Sequence, residues 1–86
     1  MSQYGIEFKP AARRGMAKLP QDIQRRIGQQ IDSLASNPLP PGVRKLTGSK
    51  NTYRVRVGDY RILYDLYQGR LVVLIVGVGH RRNVYR

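Results

Sequence analysis

The sequence predicts an α+β fold: a small single domain over residues 1–86, in the order β-α-α-β-β-β, with an antiparallel sheet and a two-helix hairpin packed on one face. Three observations predict it. Apolar residues recur at helical spacing between residues 12 and 34, then switch to period two from residue 53. Prolines and glycines gather in residues 37–51, between the two patterns. Finally, 86 residues are enough for one modest core.

Each element follows from its residues. Residues 3–8 (QYGIEF) read as a short strand. Pro10 suits the first turn of a helix, where a missing N–H costs nothing. Ala12, Met16 and Leu19 continue at helical spacing to an end near Leu19, although Gly15 is a poor helix former. Pro20 opens a second helix. Asp22 suits its first turn, where the helix dipole favours negative charge. Ile23, Ile27, Ile31 and Leu34 form one apolar stripe, and Asn37-Pro38 stops it. In Tyr53-Arg54-Val55-Arg56-Val57 the Tyr and Val side chains face one way and the arginines the other. Gly58-Asp59 turns the chain into a strand over 60–67, and Gln68-Gly69 turns it into a nearly all-apolar strand, Leu71 to Val78. These three strands form a meander. The first strand adds at an edge, placed beside the final strand.

Composition narrows the function. Lys and Arg number 16 against 5 Asp and Glu, a formal charge of +11. Self-repulsion at that charge opposes compaction and calls for a polyanionic partner: nucleic acid, an acidic membrane surface or an acidic protein. The excess is uneven. Residues 1–43 hold 6 basic and 3 acidic side chains, whereas residues 44–86 hold 10 and 2, so the basic surface belongs to the second half. Without cysteine, a disulfide framework and a thiolate metal site are excluded. One histidine, His80, with so few carboxylates argues against a catalytic metal, and no cofactor is expected. MSQYGIEFKP lacks the apolar region of a signal peptide, and Leu71 to Val78 is too short to span a bilayer, so a cytoplasmic protein without membrane association is expected.

Arg54 and Arg56 on one strand, Arg61 on the next, and Arg81 and Tyr85 after the third can share a basic surface, since neighbouring strands lie about 4.8 Å apart. Arginine presents a planar fork of donors matched to phosphate oxygens. Tyr85 offers either a ring to stack on a base or a hydroxyl for the backbone. RNA cleavage asks little more. The 2′-hydroxyl is the nucleophile, and the protein aligns it and stabilises charge on the phosphorane. The same arginines are equally what the solvated face of a half-buried sheet carries, with Asp59 and Asp65 as neighbours for Arg61. By themselves the residues specify a basic binder of nucleic acid or of an acidic partner.

The stretch Tyr53-Arg-Val-Arg-Val-Gly-Asp-Tyr-Arg-Ile-Leu-Tyr64, followed by Leu71-Val-Val-Leu-Ile-Val-Gly-Val-Gly-His-Arg-Arg-Asn-Val-Tyr85, resembles the signature of the RelE/ParE toxin superfamily, most closely its RelE branch. The resemblance implies a RelE-like microbial RNase fold and the toxin of a type II toxin–antitoxin system. It further implies an endoribonuclease that cuts mRNA in the ribosomal A site without metal, neutralised by an acidic, RelB-like antitoxin. By position it assigns catalysis to Arg54, Arg56, Arg61, Arg81 and Tyr85. His80 is a candidate proton donor, and Arg44, Lys45, Lys50 and Arg82 are candidates for holding RNA. Some relatives carry lysine at the paired strand positions, and arginine gives up a proton less readily. The rival within the superfamily is a ParE-like toxin that inhibits DNA gyrase without cutting nucleic acid.

Overall fold

The computed structural model describes residues 3–80, which form β1 (Gly5–Phe8), α1 (Pro10–Ala17), α2 (Gln21–Leu34), β2 (Arg44–Lys45), β3 (Thr52–Val57), β4 (Tyr60–Tyr67) and β5 (Val72–His80). The strands make one five-stranded sheet in the order β1-β5-β4-β3-β2. The meander β3-β4-β5 is antiparallel, as its turns require, and β1 lies at the edge beside β5. It pairs there in parallel, so the sheet is mixed rather than wholly antiparallel. The direction follows from what β1 must do. It delivers the chain to α1 at the level of Ile75, whose carbonyl accepts from Lys9 N at 2.9 Å, and α1 then packs back over β5. The two-residue β2 is an element that periodicity cannot signal, because two residues have no period.

One face of the sheet carries the core. Ile27, Ile31 and Leu34 of α2 and Ala12 of α1 are buried against Val55, Ile62, Tyr64, Leu66, Val73, Ile75 and Val78, with Ile23, Met16 and Leu19 packed beside them. Both helical stripes thus bury as their spacing requires, and each large aliphatic side chain so buried contributes about 1.5–3 kcal/mol. Gln24 donates through Nε2 to the carbonyls of Met16 and Leu19 at 2.9 and 3.0 Å, satisfying acceptors at the end of α1. Pro20 stands immediately before α2, which starts at Gln21.

Strand β5 runs to His80, past the expected end at Val78, and it departs from the sequence reading at its start and in its middle for backbone reasons. Leu71 adopts φ +54 and closes the β4–β5 turn, so β5 begins at Val72. Between Leu63 and Tyr64 of β4 the partner strand carries one residue too many: Leu63 pairs with Gly77 and Tyr64 with Ile75. This bulge at Val76 reverses the alternation beyond it. Val78 returns to the core opposite Ile62, while Gly77 and Gly79 fall on the other face.

Tyr64 is fully buried, stacks on Tyr53 with ring centroids 6.0 Å apart, and donates its hydroxyl to Pro38 O at 2.6 Å. Burial, and then the neighbouring Tyr53, push its phenol well above the ordinary tyrosine range, so the hydroxyl stays a donor. That bond ties the long connection after α2 to the middle of the sheet.

Gly15 brings the backbone of α1 close against β5. A Cβ added there would lie 2.5 Å from Val78 O. In an exposed helix Gly→Ala gains about 1 kcal/mol. Here Gly15→Ala is expected to lose about 1–3 kcal/mol, because backbone must move to admit the methyl. Urea melts of the two proteins decide the sign, and a stabilised variant would refute the contact.

Candidate nucleic-acid interface

Alternation along β3 and β4 sends Tyr53, Val55, Val57, Tyr60, Ile62 and Tyr64 toward the helices. It sends Arg54, Arg56 and Arg61 to the face that the helices leave uncovered. Register then sets their neighbours. Arg56 stands directly opposite Arg61, and Arg54 opposite both Leu63 and, across the other strand gap, Arg44 of β2. Arg44 and Arg56 are exposed, whereas Arg54 and Arg61 are half-buried with their Nε atoms withdrawn from solvent. Like charges directly opposite each other destabilise a sheet, and this face contains two such pairs. Asp65, the carboxylate nearest along the same face of β4, accepts from the Thr52 hydroxyl at 2.6 Å and from Tyr67 at 3.4 Å.

Beside the arginines, among the described residues, β5 contributes only glycines. Gly77 pairs with Leu63 and Gly79 with Arg61, so β5 presents no side chain at either level of this face. A Cβ added to Gly77 would meet nothing within 4 Å. A strand glycine commonly marks a site where another backbone or a ligand approaches closely. These two were visible in the sequence as an i, i+2 pair ending an apolar strand. That they open onto the arginine face was not visible, because the bulge decides it.

The structure therefore brings together Arg44, Arg54, Arg56 and Arg61. It does not bring the other described candidates with them. Lys45 pairs with Tyr53 and belongs to the helix-side face, and Lys50 is exposed in the β2–β3 connection. His80 pairs with Tyr60, the two rings meeting edge-to-face at 5.5 Å and 79°. It lines a cavity of about 390 Å³ with Lys18, Leu19, Tyr60 and Val78, on the opposite side of the sheet from the arginines. The sequence reading ends the strand at Val78 and puts His80 in the tail beyond it, whereas β5 continues through His80 and the bulge turns its side chain to the helix side. Arg81, Arg82 and Tyr85 lie outside the described residues. Among the described residues no helix is long and apolar enough to cross a membrane.

Comparison with known proteins agrees with this architecture. Residues 6–85 match the family described as the ParE toxin of the type II toxin–antitoxin system, parDE. Toxin RelG of Mycobacterium tuberculosis is 34% identical, over 96% of this chain and 97% of that protein. The putative toxin RelE1 of Methanocaldococcus jannaschii is 24% identical, over 98% and 97%. Among solved structures, the RelE–RelB complex of Pyrococcus horikoshii superposes with a TM-score of 0.82 at 28% identity, covering 95% of this chain and 99% of that one. The RelBE2 complex of M. tuberculosis gives 0.81 at 31% identity, covering 92% and 99%.

If the facing arginines are kept for binding and not for folding, removing one should stabilise the protein while weakening its hold on polyanions. Arg56→Thr places a good strand former opposite Arg61 and is expected to raise the melting temperature by a few degrees. Its affinity for single-stranded RNA should fall at low salt. A lowered melting temperature would mean that Arg56 supports the sheet.

Proposed function

Because this chain belongs to the RelE/ParE superfamily of type II toxin–antitoxin toxins, we propose that it is a single toxin domain over residues 1–86 acting as a cytoplasmic, ribosome-dependent endoribonuclease. It cuts mRNA in the A site and so inhibits translation. The observation that carries the reading is the pairing of Arg56 with Arg61 beside the bare Gly79 position. The guanidinium forks of Arg44, Arg54, Arg56 and Arg61 share the face that the helices leave uncovered, and each fork matches the oxygens of a phosphodiester.

The chemistry follows from that surface. The ribose 2′-oxygen attacks phosphorus and loses its proton. The bond from phosphorus to the 5′-oxygen breaks, and that oxygen takes up a proton, leaving a 2′,3′-cyclic phosphate and a 5′-hydroxyl. Arg61, with Arg81, clamps the phosphate and stabilises charge growing on its oxygens. Arg54 and Arg56 hold the backbone and favour ionisation of the attacking hydroxyl. Tyr85 stacks on the nucleotide or orients it, and Arg82 adds a backbone contact. We assign His80 no step, since its ring lies beyond the sheet. Arginine is a poor base, so naked RNA should be cut far more slowly than message that the ribosome has already bent and aligned. No metal or cofactor enters this route.

Solved relatives that superpose well include the RelBE2 and RelE–RelB toxin–antitoxin complexes, and an acidic RelB-like antitoxin is the partner we propose for the basic second half of this chain. Its association rate should fall as salt rises, because steering between opposite charges is screened. Equal on-rates in low and high salt would remove the electrostatic part of this proposal.

The deciding experiment is in vitro translation with primer extension of the message. Cuts within the A-site codon are expected. Intact message together with inhibited gyrase supercoiling would favour the rival reading, which the ParE name of the matched family recommends. Given cleavage, Arg61→Ala and Arg81→Ala should each lower the single-turnover rate on the order of 10²–10³. Arg81→Lys should recover part of it, since the ammonium keeps the charge but loses the fork. Near-normal rates in the alanine variants would take both arginines out of the catalytic role.

A further inference from the structure

The arginine face has a second level. Arg56 stands opposite Arg61, and two residues back along β3 Arg54 stands opposite Arg44. Residues i and i+2 of a strand share a face and lie about 6.8 Å apart, the order of the separation between neighbouring phosphates in an extended RNA strand. Each level presents two guanidinium forks, and each fork matches the oxygens of a phosphate.

Strand β2 makes the second level. It is two residues long, and both of its side chains are exposed, so it buries no core residue. Its register with β3 is held by Leu46 N donating to Thr52 O at 2.9 Å. What β2 contributes is Arg44 beside Arg54; its other residue, Lys45, is turned to the opposite face. Next to Arg54 on this face lies Leu63, only 8% exposed, and beyond it Gly77, an apolar and open floor. The level after that holds Thr52, Asp65, Leu74 and Glu7. Its two carboxylates would repel a phosphate, so the basic track ends after two steps.

Resting on the nuclease reading above, we infer that Arg44 and Arg54 form a second phosphate subsite, one nucleotide from the phosphate held by Arg56 and Arg61. Single-stranded RNA then runs along β3 rather than across the sheet. Arg44 is a positioning residue: it holds the neighbouring phosphate and so sets which phosphate meets Arg61.

The test uses the full chain and a 2′-O-methyl RNA trinucleotide, which cannot be cut and has two linkages. Each linkage is replaced in turn by an uncharged methylphosphonate. Wild type should lose about tenfold in affinity with either replacement, the scale of one charge-assisted contact. Arg44→Gln should bind the unmodified probe about tenfold more weakly and become indifferent to one of the two replacements. Arg25→Gln, an equal charge loss on the exposed side of α2, should keep both sensitivities. On ribosome-bound message Arg44→Gln should raise the toxin concentration needed for half-maximal cleavage far more than it lowers the saturated rate.

Equal sensitivity of Arg44→Gln to both replacements, or no linkage dependence in the wild type, overturns the subsite. The reading beneath it fails differently. A-site cleavage without the linkage pattern removes the subsite and leaves the nuclease, whereas the linkage pattern with uncut message does the reverse.

Discussion

Strand β5 runs between β1 and β4, takes α1 across one of its faces, and lends its other face to the arginine surface. It can serve both only because it gains one residue at Val76. Without the bulge, Gly77 would share the phase of Val73 and Ile75 and leave a void where Val78 now meets Ile62. Val78 would point outward between the arginines. The bulge exchanges these positions: the core keeps its valine, and the outer face receives two glycines. The same stretch of backbone admits α1 closely, with Gly15 against the Val78 carbonyl. Core packing and the place of two glycines beside the arginines are thus settled by one local irregularity in one strand.

The charge has to be understood against that floor. A net +11 on 86 residues is tolerable when the charges keep apart, yet here four arginines meet in facing pairs on adjacent strands. Surface arginines with no role in binding could take any outward position. The register of β2, β3 and β4 instead sets these four side by side on the face that the helices leave uncovered. In the proposed reaction, donors fixed in this way would need no rearrangement as charge develops on phosphorus. An acidic antitoxin would meet the same surface and relieve the same repulsion.

The two faces also separate the aromatic residues by use. Tyr53, Tyr60 and Tyr64 face the helices, and the Tyr64 hydroxyl fastens the post-α2 connection through Pro38. Tyr67 lies on the other face with Asp65, and Arg70 covers its ring with its guanidinium carbon 4.7 Å from the ring centroid. Only the first group is structural in the sense of core packing. The acidic level containing Asp65 and Glu7 borders the arginines at the far end of the sheet and gives the surface a polarity along β3.

Much of this was legible in the chain itself. The two helices and the meander follow from periodicity, turn residues and the apolar character of residues 71–78, because a buried stripe and a half-buried strand leave different periods in sequence; the edge that β1 takes does not follow from them, and its place beside β5 is decided by the fold. The outward direction of Arg54, Arg56 and Arg61 follows from the same alternation. Other features were decided only by tertiary structure. Parallel pairing of β1 depends on where the helix hairpin must start. The pairing of Arg44 with Arg54 depends on a two-residue strand too short to have a period. The placement of His80 away from the arginines, and of Gly77 and Gly79 among them, depends on a bulge whose extra residue is identified only by its partner strand. Local sequence carries the phase of each element, while register and bulge are properties of two strands at once.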